Sequence, residues 1–80
     1  MAHSMIEAFE QVALIEDLSD FGFKAGDVGT VVDVTPNGKQ LTLEFFNFLG
    51  ETVAVIPVRP EQVRRVEQNE VMHARPVKSA

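Results

Sequence analysis

With 80 residues the chain has room for one domain, and a domain that small hides only about 60% of its unfolded surface from water. A composition of 45% hydrophobic and 24% charged residues is that of a folded protein and excludes a disordered one. The lack of cysteine excludes disulfide staples and thiolate metal sites, and a net charge of −5 sets the chain against phosphate backbones and toward basic partners.

Residues 1–9 read as a lead-in. Met5 resembles a second start, which makes residues 1–4 a cloning remnant, and the opening segment has neither the basic nor the apolar region of a signal peptide. Ser4 and Glu7 have capping-box spacing, with Ile6 and Phe9 three apart, a weak signal for one helical turn. No apolar run approaches the roughly 20 residues that cross a bilayer, so a soluble cytoplasmic protein is expected.

The first predicted strand covers Gln11 to Glu16, with Val12 and Leu14 on one face. A polar loop with aromatics follows over Asp17 to Ala25. The second strand, Asp27 to Thr35, places Val28, Val32 and Val34 inward, and Gly29 within it marks a close backbone approach or a bulge. Pro36-Asn37-Gly38-Lys39 is a turn, after which Gln40 to Phe46 alternates cleanly with Leu41, Leu43 and Phe45 inward. Gly50 places the next turn, and Thr52 to Val58 is a fourth strand with Val53 and Val55 inward. Pro57 has no N–H for a ladder and puts that strand at an edge or a strand end. A tight helical turn begins near Pro60, and Val63 to Val66 returns as a fifth strand.

Five short strands in about 60 residues predict an all-β fold, a small five-stranded SH3-like barrel with one short 3-10 turn. A small OB-like barrel is the alternative. The barrel is expected over residues 10–67, with a mobile tail over 68–80, where periodicity ends. The charge imbalance lies within the fold, since residues 6–68 hold eleven acids and five bases.

The blocks Val12-Ala13-Leu14-Ile15-Glu16-Asp17-Leu18, Phe23-Lys24-Ala25-Gly26-Asp27-Val28-Gly29-Thr30-Val31-Val32, Leu43-Glu44-Phe45-Phe46, Gly50-Glu51-Thr52 and Pro60-Glu61-Gln62-Val63-Arg64 together resemble a small bacterial family, domain of unknown function 4926. The likeness spans residues 10–66. It implies an SH3-like barrel and brings no established activity and no catalytic residues. Gly26-Asp27-Val28-Gly29-Thr30-Val31-Val32 is also similar to the KOW motif of ribosomal proteins and elongation factors, which implies RNA binding. That likeness covers about ten residues, and fold similarity is a weak warrant for function.

Two groups are partner-binding candidates. Phe46, Phe48 and Leu49 surround a hairpin tip, where strict alternation turns Phe46 outward and a bulge would return it to the core. Exposed rings at a turn anchor partners. Glu16, Asp17 and Asp20, with Asp27 nearby, form either a solvated acidic loop or a docking patch for a basic protein; their spacing fits no calcium loop. Phe21 and Phe23 are expected to plug the barrel mouth. Arg59, Arg64 and Arg65, flanked by Glu61 and Glu67, read as halves of surface ion pairs.

Catalysis lacks its parts. His73 falls in the predicted tail, Ser4, Ser19 and Ser79 have no histidine near them, and a filled barrel has no cleft to raise a carboxyl pKa. The expectation is no enzyme, no cofactor and no metal. The leading reading is a non-catalytic module that binds another protein, in the manner of an acidic inhibitor or antitoxin of a basic protein. The alternatives are a KOW-like RNA- or ribosome-associated module, which the negative charge and the lack of Tyr and Trp disfavour, and a self-associating domain that forms a homo-oligomer.

Overall fold

The strands follow the predicted order: β1 (Gln11–Leu14), β2 (Val28–Val34), β3 (Leu41–Phe46), β4 (Thr52–Val58) and β5 (Val63–Arg65). The computed structural model describes residues 6–67, 69–71 and 76. Ser4, His73 and most of the predicted tail lie outside the described residues. Two 3-10 turns are present where one was expected, at Ser19–Phe21 and Pro60–Gln62. The extra turn forms because Gly22, at φ 78°, takes the left-handed conformation that ends it and returns its N–H to Ser19 O. Among the described residues no helix is long and apolar enough to cross a membrane.

All five strands join one antiparallel sheet in the order β4-β3-β2-β1-β5. The two outermost strands, β4 and β5, do not pair with each other, so the sheet is open where the sequence predicted a barrel. Every strand nevertheless contributes to one core. Val12 and Leu14 from β1 meet Val31, then Leu41, Leu43 and Phe45, then Ile56 and Val58, then Val63. The alternation predicted for β3 is observed, with Leu41, Leu43 and Phe45 buried.

Two bulges correct the predicted facing of β2 and β4. In β2 the inward positions are Gly29 and Val31, and the register shifts between Val31 and Asp33. Val32 is the extra residue, so parity changes after it and Val34 packs against the core. In β4 the shift falls opposite Phe45 and Phe46, which makes Val53 the extra residue. Val53 still packs against the core, but Ala54, Ile56 and Val58 now take the inward phase and Val55 turns out, 55% exposed. Pro57 lies on β4 at the edge of the sheet.

The first loop is pinned from inside by Phe23, which is buried and stacks on Phe45 with ring centroids 4.1 Å apart and 17° between planes. Gly29 makes room for that stack. A β-carbon there would sit 3.1 Å from Cε1 of Phe45 and 3.3 Å from the Glu44 carbonyl oxygen. Phe21 does not share the role expected of it. It sits on the 3-10 turn, 48% exposed.

Because the Phe45 ring is held by Phe23 and cannot swing away freely, Gly29→Val is expected to overpack this point. Urea unfolding should show a loss of about 1–3 kcal/mol with the m-value unchanged.

Candidate functional site

The β3–β4 hairpin is built around one side chain. Asn47 Oδ1 accepts hydrogen bonds from the backbone N–H groups of Leu49 and Glu51, each at 2.9 Å, and Asn47 Nδ2 donates to Glu51 Oε1 at 2.8 Å. Its backbone N–H donates to Glu51 O, and its carbonyl accepts from Gly50, which sits at φ 80°. With its polar groups turned inward on itself, the turn presents Phe48 and Leu49 to solvent, each 84% exposed. Phe46 points out of the sheet, half exposed. Thr52 Oγ1 donates to Glu44 Oε2 across the same outer face.

The acidic loop lies at the same end of the sheet. Thr30, near the start of β2, pairs with Glu44, near the end of β3, so the β1–β2 loop and the β3–β4 turn leave the sheet in the same direction. The Phe23–Phe45 stack joins the two structurally. Glu16, Asp17 and Asp20 are exposed there, as is Phe21. Part of this acidity shapes the loop. Asp17 Oδ1 accepts from Ala25 N at 2.9 Å, Asp27 Oδ2 from Lys24 N at 2.8 Å, and Glu16 Oε2 from Gln62 Nε2 at 3.2 Å. Among the described residues no three acids or histidines converge on one point as metal ligands.

Arg59, Arg64 and Arg65 each have a glutamate partner. Arg65 Nε meets Glu10 Oε1 at 2.6 Å, Arg59 Nε meets Glu61 Oε2 at 3.3 Å, and Arg64 makes a two-pronged contact with Glu70 at 2.7 and 2.6 Å. The partners of Arg64 and Arg65 are Glu70 and Glu10 rather than the neighbouring Glu67 and Glu61. The Arg64 guanidinium, helped by the Glu67 N–H, holds the Glu70 carboxyl down at about 2. Glu10 is held below the ordinary range by Arg65 and by the Glu7 N–H. An open depression of about 660 Å³ lies beside these pairs, bordered by Phe9, Thr30 and Val66.

A family model described as a domain of unknown function (DUF4926) matches residues 8–65, well over half of the chain. The chain belongs to this family. No curated protein and no solved structure matches it. Within this DUF4926 domain the matched region takes in all five strands, the acidic loop and the Asn47 turn.

Besides Phe21, sequence reasoning missed the exposure of Val55 and Phe9. Val55 was hidden by the bulge at Val53, which alternation alone does not reveal. Phe9 has no glycine signal near it, yet it holds φ 72° with its ring 78% exposed. Such a conformation costs a β-carbon-bearing residue on the order of 1–2 kcal/mol. Tertiary hydrogen bonding sets it, because Phe9 N donates to Val31 O while Val31 N donates to Glu10 O.

Asn47→Ala removes the acceptor that organises the turn and is expected to cost about 1–2 kcal/mol in urea, with faster amide exchange confined to residues 47–51. The Arg64–Glu70 pair predicts a pH effect. The folded Glu70 carboxyl lies below its ordinary value of 4.5, so the unfolded chain takes up the proton first as pH falls. Stability from this pair is complete at neutral pH and is lost between about pH 4.5 and 2. Thermal melts at pH 7 and pH 3 should therefore show a smaller acid-induced loss of Tm for Glu70→Gln than for the parent.

Proposed function

We propose that this DUF4926 domain is a non-catalytic module that binds a basic protein through the end of the sheet shared by the Asn47 turn and the β1–β2 loop. One observation carries the reading. The turn is held rigid by its own hydrogen bonds and spends that rigidity on presenting two apolar side chains, Phe48 and Leu49, to water. A preorganised apolar knob loses little entropy on binding, and exposed aromatics at the centre of a contact supply much of its energy. Glu51 in the turn and Glu16, Asp17 and Asp20 on the loop at the same end of the sheet give that end a negative charge, which steers a basic partner toward it.

An SH3-like coiling of the sheet belongs to the same proposal. Support comes from the strand order, with β5 returning beside β1 after a 3-10 turn, and from a single core fed by both outermost strands. Nucleic acid is the weaker partner, because Arg59, Arg64 and Arg65 are each engaged by a glutamate and leave no basic stripe among the described residues.

The test pairs the parent domain with the Phe48→Ser/Leu49→Ser variant, whose Tm should stay within about 2 °C because neither side chain is in the core. Immobilised parent, with nuclease added to the extract of its source cells, should retain one protein in stoichiometric amount. Calorimetry with that purified protein should show binding at least tenfold weaker for the variant. Retention of only nuclease-sensitive material, or equal affinity of the two, would overturn the proposal.

A further inference from the structure

The open edge of β4 has a defined hydrogen-bonding phase. At one end of β3, Thr35 N donates to Gln40 O, across to β2; at the other, Asn47 N donates to Glu51 O, toward β4. Alternation then directs the backbone groups of even-numbered β3 residues to β2 and those of Leu41, Leu43 and Phe45 to β4. Their partners are Val58, Ile56 and Ala54. Val55 and Pro57, paired with Glu44 and Thr42, therefore aim their backbone groups away from the sheet. Pro57 fits this phase, since a residue without an N–H is tolerated where no ladder bond is asked of it. Val55 offers both an N–H and a C=O to whatever lies alongside.

We infer that β4 accepts an extended segment of a basic protein as an additional antiparallel strand, centred on Val55, with lysine or arginine alternating with aliphatic residues. The inference rests on the protein-binding reading above and gives that module its mode of contact. Charge complementarity names the occupant. Strands β2 and β3 carry Asp33 and Glu44, β4 is uncharged and none of the three holds lysine or arginine, with Glu51 in the β3–β4 turn and Lys39 in the β2–β3 turn at the far end. On the outer face, basic side chains can lay their stems over Val55 and reach toward Glu44, about 10 Å away across two strand spacings. On the inner face, aliphatic residues would extend the row begun by Ala54 and Ile56, which are turned to the core. A second copy of this chain is a poor occupant, because two chains of charge −5 would meet along strands that hold no base. Pro57 offers no donor, so pairing is confined to a short stretch, which suits a peptide and limits runaway sheet growth.

Amide hydrogen exchange on the full chain tests the phase first. Val55 should exchange at least tenfold faster than Ala54 and Ile56; equal protection of the three overturns the inference. Protection of Val55 that grows with protein concentration while the mass doubles overturns it as well, by assigning the edge to a second copy. The next probe is an octapeptide alternating lysine with valine, beside the same peptide N-methylated on alternate amides. The plain peptide should protect the Val55 amide, with affinity falling as salt rises, and the methylated one should bind at least tenfold more weakly. Val55→Pro should lose the plain peptide to the same extent while keeping its Tm; the methylated peptide makes the same comparison without altering the protein. Equal binding of both peptides, or no binding at millimolar peptide, overturns strand addition. Neither outcome touches the hairpin reading, which stands or falls on the Phe48→Ser/Leu49→Ser comparison.

Discussion

The stack of Phe23 on Phe45, admitted by the missing side chain at Gly29, organises this domain. A chain of 80 residues has few large side chains to spend on a core, and here two of its six phenylalanines are spent on one contact. The contact ties the long β1–β2 loop to the middle of the sheet, across a strand that must thin to a glycine to let the rings meet. Loop and sheet then share one rigid end. The Leu18–Phe23 bridge and the Asp17 and Asp27 bonds to backbone amides complete the loop around that anchor. Without it, a loop of that length would carry its acids on a freely moving chain.

The same economy explains what the surface shows. A core of this size cannot absorb every apolar residue, so the position of each bulge decides which are left outside. The bulge at Val53 gives β4 its inward Ile56 and Val58 and thereby expels Val55. The one at Val32 lets β2 pass from Gly29 and Val31 to Val34 without losing the core. Bulges also sharpen strand twist, which brings side chains of the two outermost strands into one cluster although those strands do not pair.

Charge is distributed with a similar division of labour. The arginines of β5 and the turn before it are paired with Glu10, Glu61 and Glu70, on the side where the chain enters and leaves the sheet. Each such pair is worth little alone, and with Glu7 beside Arg65 and Glu67 beside Arg64 that side keeps an excess of acid. Further negative charge is carried by the loop acids and by Asp33 on β2 and Glu44 on β3, while β4 is uncharged. The apolar knob and the outermost strand edge belong to the β3–β4 side of the molecule, while the acids of the β1–β2 loop lie at the same end of the sheet but reach across to the β5 side, where Glu16 accepts from Gln62.

The number of strands and their sequence along the chain, the β3 facing, both hairpin turns and the edge position of Pro57 were legible in the sequence, because each follows from a local rule of alternation or turn chemistry. Family membership was legible for the same reason, in short blocks that mark those strands and turns. The order of the strands in the sheet and its open edges, where a closed barrel was expected, were not legible. The tertiary structure alone decided the facing of Val32 and Val55, the exposure of Phe21, the left-handed Phe9 and the partners of Arg64 and Arg65. Each of these depends on a residue distant in sequence or on a register shift. Alternation carries a side-chain phase along one strand; it cannot say where the neighbouring strand will force that phase to slip.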